Sequence, residues 1–148
     1  MMEQAVASAL QLLREGQAAC AVLRDSEIVR AETGRGVAPM IRLYEDGALQ
    51  GAYVVDKIVG KAAAMLMTLG GVSGCYALTV SRAALVWFAG HDIPVEYEVC
   101  AEYIVNRAGD GMCPMEQTVK DLNDPSEALT ALKQKIAELR NRNGGFAQ

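Results

Sequence analysis

Residues 62–81 form a run of twenty without one charged side chain, and its punctuation decides what the chain can fold into. By length alone such a run would span a bilayer, which takes about 20 apolar residues. Gly70-Gly71 and Ser73-Gly74 break it near its middle, however, and Tyr76, Leu78, Thr79 and Val80, which suit strands, follow. The pattern predicts a buried helix, a tight turn and a buried strand, and no membrane span. A strand without polar alternation needs cover on both faces, so layers must lie on either side of a sheet. Gly51–Val55 has the same unbroken apolar character.

Flanking segments supply those layers. Val6, Leu10 and Leu13 recur at helical spacing before Gly16, and Ala19–Leu23 and Glu27–Ala31 read as a hairpin turning at Asp25-Ser26. Val37, Ile41 and Tyr44 share one face of a short helix over 37–45. Residues 57–69 read as an Ala/Met/Leu helix with Asp56 as N-cap. A strand over 75–80, a Ser81-capped helix to Phe88, a strand over 95–99 and a helix from Cys113 to Leu122 come next. Asp124-Pro125-Ser126-Glu127 then starts a last helix, with Leu129, Leu132, Ile136 and Leu139 as its apolar stripe. This order predicts a three-layer α/β/α sandwich around a mixed sheet. One domain over 1–142 and a frayed tail over 143–148 are expected.

With 148 residues, half of them apolar, one core suffices. A net charge of −4 with no basic cluster excludes general nucleic-acid binding. Cys20, Cys75, Cys100 and Cys113 show no CxxC spacing, which predicts reduced thiols in a cytoplasmic protein. His91 is the only histidine, so a mixed His/Cys zinc site is not expected.

Two helix starts carry chemistry. In Asp56-Lys57-Ile58-Val59-Gly60-Lys61, lysines four apart would share one side of a helix N-terminus, where ammonium groups and free N–H groups hold phosphate or carboxylate. The alternative is a plain cap with both lysines in water. In Asn106-Arg107-Ala108-Gly109-Asp110-Gly111-Met112-Cys113-Pro114-Met115-Glu116, a Gly-rich polar loop feeds a helix. Cys113 there is a poor cap, and a helix terminus favours its thiolate. Glu116 is placed either for acid–base work or to reach back to the cap N–H. Arg35, between two glycines, is a further candidate to reach a ligand.

These two motifs, with Arg35–Ile41 and the Asp124-Pro125 helix start, resemble an uncharacterised bacterial family, a domain of unknown function classed with the cytidine deaminase-like superfamily. The resemblance implies a deaminase-like α/β/α sandwich. Zinc deaminases place His/Cys-x-Glu and Pro-Cys-x-x-Cys at two helix starts. Here those places fall near Gly36-Val37-Ala38-Pro39 and at Lys57 and Lys61, which hold no metal ligand.

Three functions follow as expectations. The first is a metal-free, cofactor-free domain binding an anionic or nucleotide-like small molecule through Lys57, Lys61, Arg107, Asn106, Asp110 and Arg35. The second is an enzyme with Cys113 as nucleophile and Glu116 or Asp56 as acid–base group. The third is a non-catalytic interaction module. Homo-oligomers are compatible with all three.

Overall fold

The computed structural model describes residues 2–142. Among the described residues the order is α1 (Met2–Arg14), β1 (Cys20–Arg24), β2 (Glu27–Glu32), α2 (Ala38–Glu45), β3 (Tyr53–Val59), α3 (Lys61–Gly70), β4 (Gly74–Ser81), α4 (Arg82–Gly90), β5 (Val95–Ala101), α5 (Pro114–Val119) and α6 (Pro125–Arg142). The tail expected over 143–148 lies outside the described residues.

The hairpin between β1 and β2 turns on Asp25 and Ser26, at φ 51° and 67°. Paired positive φ values give a two-residue turn the twist its strands need. β1 also pairs antiparallel with β3, while β3, β4 and β5 run parallel, giving a mixed sheet in the order β2-β1-β3-β4-β5. The chain is therefore an α/β fold built on five strands and six helices among the described residues.

Two cores sandwich that sheet. On one face Ala5, Ala9, Leu10 and Leu13 of α1 pack on Ala21, Leu23 and Val55. On the other, apolar residues of α2 through α6 pack on Val22, Val54, Cys75 and Ala77. Crossovers through α3 and α4 advance along the sheet in one direction, which puts both helices on the same face. α3 is buried all round from Ala62 to Met67, as an uncharged helix must be. Each Leu or Met enclosed there contributes about 1.5–3 kcal/mol. Gly71, at φ 80°, ends it in the left-handed conformation.

The helix expected from Cys113 to Leu122 stops at Val119 and the strand expected over 95–99 runs on to Ala101, but the boundary that moves the site is the one between β3 and α3. The step from strand to helix falls at Gly60, not at Asp56. Ile58 and Val59 pair with Thr79 and Val80 of β4, so the ladder carries β3 four residues past Val55. Asp56 is thus a strand residue opposite Cys20 and Ala77, not a helix cap. Lys57 is an exposed strand residue, and the pair with Lys61 on one helix does not form.

Candidate functional site

Helices α3 and α4 begin where β3 and β4 end, and the segment after β5 folds back over these termini. Between them lies an open cleft of about 370 Å³, walled by Lys61, Trp87, Tyr103, Glu116 and Lys120 among others. Ligands of parallel sheets bind in this position, beyond the carboxyl ends of the strands.

The first turn of α3 has no side-chain cap of its own, because its N-cap is Gly60. Glu116 supplies one from 55 residues away. One carboxylate oxygen accepts the Lys61 N–H at 2.8 Å and the other the Ala62 N–H at 2.9 Å. A carboxylate at the positive end of a helix dipole is well placed. Its approach is so close that a Cβ at position 60 would stand 2.4–2.5 Å from all three carboxylate atoms, which is why glycine is there. Burial pushes the Glu116 pKa up, against the pull of the two N–H donors and the Lys61 charge. Glu116 does not reach back to the cap of its own helix.

Lys61 extends across the cleft. Its Nζ donates to the Lys120 carbonyl at 3.0 Å and stands 5.9 Å from the centroid of the Trp87 ring. That indole is fixed on two sides. Its Nε1 donates to Thr68 Oγ1 at 2.9 Å, and its face stacks on His91 with centroids 3.9 Å apart. His91 Nδ1 donates to the Trp87 carbonyl at 2.8 Å, which anchors the stack. At the start of α4 the Ser81 hydroxyl accepts the Ala84 N–H, as its cap pattern predicts. Glu102, on the rim, pairs with Arg82.

Of the residues singled out from sequence, Lys61 and Glu116 meet in this cleft. The others lie elsewhere. Asp56 is buried in the sheet, where loss of solvent raises its pKa to about 7 despite the N–H groups of Lys57 and Ile58. Cys113 is the N-cap of α5, half-buried against the core, and its thiol makes no capping hydrogen bond. Asn106 spends its side chain on its own turn: its Oδ1 accepts the N–H groups of Gly109 and Asp110, and its Nδ2 donates to Asp110. Arg107 and Arg35 are exposed and outside the lining.

Trp87, Tyr103 and Lys120 were not legible as site residues. Trp87 reads as one more apolar position in α4. Tyr103 and Lys120 reach the cleft only because the segment after β5 returns to α3. Among the described residues no group of three or more His, Cys, Asp or Glu side chains could hold a metal ion. No described helix is long and apolar enough to cross a membrane.

Comparison with known proteins adds a family and a fold. A DUF1893 protein (TM1506) of Thermotoga maritima, known from its crystal structure, superposes with a TM-score of 0.81 at 24% identity, over 91% of this chain and 92% of that one. No curated protein matches the sequence. Residues 8–136 match the family described as TM1506, a domain of unknown function (DUF1893). That match spans most of the chain, which belongs to the DUF1893 family.

Proposed function

We propose that this domain is a cytoplasmic binding protein for a small, planar, anionic molecule of nucleotide-like character, held in the cleft walled by Lys61, Lys120 and Tyr103. The observation that carries the reading is the meeting of two lysines and two aromatic rings, Lys61 and Lys120 with Trp87 and Tyr103, around one opening of about 370 Å³. That volume lies in the range of small-molecule sites. Ammonium groups meet a negative charge, and the exposed Tyr103 ring offers a face to a flat heterocycle. The α3 amides cannot contribute, because Glu116 already occupies them. The ligand's charge therefore depends on the lysine side chains.

The strand order and the helix cover on both faces support a deaminase-like classification of the sandwich. The zinc of that superfamily does not fit the residues present. α2 starts after Val37 with Ala38 and Pro39, and α3 starts with Lys61 and Ala62 beneath a carboxylate already engaged. None of these four side chains ligates zinc.

Calorimetry with nucleoside monophosphates, the matching nucleosides and inorganic phosphate tests the reading. The monophosphates should bind more tightly than either part alone, and Lys61→Ala should weaken them at least tenfold while leaving nucleosides less affected. Absence of heat at millimolar ligand, or equal binding by Lys61→Ala, would overturn it.

A further inference from the structure

The cleft has walls of unequal firmness. On one side Lys61 and Trp87 stand on α3 and α4, whose Ala62, Ala84, Trp87 and Phe88 belong to the larger core. On the other, Tyr103 and Met112 come from the segment between β5 and α5, which folds on itself as a small hairpin. Val105 bridges Met112, and the Asn106 and Cys113 N–H groups donate to the Gly111 and Ile104 carbonyls, each at 2.8 Å. Asn106 also knits the tip through Gly109 and Asp110. Among the described residues, every hydrogen bond of 103–112 stays within the segment or runs to Cys113 or Gln117, just beyond its end. Tyr103, Ile104, Val105 and Met112 belong to neither core, whereas Cys113 and Met115 pack in the larger one. A segment with exposed backbone and no apolar anchor lies at the low end of local stability, from which lids are drawn.

Building on the cleft's reading as a ligand site, we propose that residues 103–112 are a flap that closes over the opening as one piece, swinging at Glu102 and Cys113 until the Tyr103 ring meets Val86 of α4. Apolar surface favours the closure. Tyr103 is 44% and Val86 73% exposed, and both line the same opening, so each offers the other the cover it lacks. Closure also keeps water from a bound anion, which strengthens the pull of Lys61 and Lys120 on it.

The hinges suit such a motion. Because its hydrogen bonds are internal, the hairpin can travel without breaking them. At its far root Pro114 fixes the backbone and Met115 is buried, so the swing stops at Cys113. At the near root the Arg82–Glu102 pair is exposed on both sides, and a pair of that kind resists turning only weakly.

Trp87 is the only tryptophan and lines the cleft, so it can serve as an energy donor. In a Cys100→Ser, Cys113→Ser background, which keeps only the buried Cys20 and Cys75, a dansyl group on Ala108→Cys marks the exposed tip. Time-resolved energy transfer in the ligand-free full chain should resolve two distances from Trp87 to the tip. Val86→Glu should remove the shorter one with the melting temperature unchanged, since that side chain lies mostly in solvent. A single distance, or a short one that survives Val86→Glu, overturns the flap. Adenosine monophosphate, where calorimetry detects its binding, should deplete the longer distance. Binding that leaves both populations as they were overturns the flap and spares the ligand reading. Absence of binding beside a closure sensitive to Val86→Glu upholds the flap and overturns the ligand reading.

Discussion

Replacing Gly60 by alanine tests the α3 cap with one methyl group. The backbone there is extended, at φ −101° and ψ −174°, so alanine carries no conformational strain. Its Cβ would nevertheless meet the Glu116 carboxylate at 2.4–2.5 Å, and α3 itself is too enclosed to retreat. The carboxylate must leave, giving up two charge-assisted hydrogen bonds worth about 1.5–3 kcal/mol each. It recovers part of its hydration, so a net loss of about 3 kcal/mol is expected. For a domain of this size that lowers the melting temperature by roughly 6–12 °C. The decisive measurement is a double-mutant cycle by urea unfolding. With Glu116→Ala in place the methyl has nothing to displace, and Gly60→Ala should then cost less than about 0.5 kcal/mol. Additive costs would refute the reasoning, as would a single variant within 1 kcal/mol of the parent.

Three further outcomes follow from the structure. Asp56 has its pKa raised from 3.8 to about 7 by burial, so the folded state holds the proton more tightly than the unfolded chain. The resulting stability is complete below pH 4 and lost as pH rises to 7, by at most about 4 kcal/mol, and Asp56→Asn should remove that slope from a series of urea midpoints. Thiol titration with a disulfide reagent should find Cys100 fastest and Cys113 slower, with Cys20 and Cys75 silent until unfolding, since both are buried and burial raises their pKa. Trp87→Phe should cost about 1 kcal/mol through the lost bond to Thr68, seen in the same unfolding assay.

The sequence announced the fold well because its signals are local. Gly70-Gly71 marks the end of α3, Ser81 caps α4, and the Asp124-Pro125 start opens α6 where the structure has it. The failure at Asp56 has an equally plain origin. An aspartate before an Ala-rich run has the look of a cap, but pairing of Ile58 and Val59 with Thr79 and Val80 of β4 outweighs it. The site was half legible for the same reason. Lys61 and Glu116 were visible as candidates, yet nothing near either residue in sequence says that one closes over the other. Cys113 drew notice by standing in a cap position, and in the structure that position is the N-cap of the helix that carries Glu116 to its distant partner.

The fit between Gly60 and Glu116 also constrains how relatives of this chain can diverge. A homologue that shortens the acid frees the glycine to acquire a side chain, and one that fills the glycine has no use for the acid. Substitutions at these two places should travel together through the family, although more than fifty residues of chain lie between them.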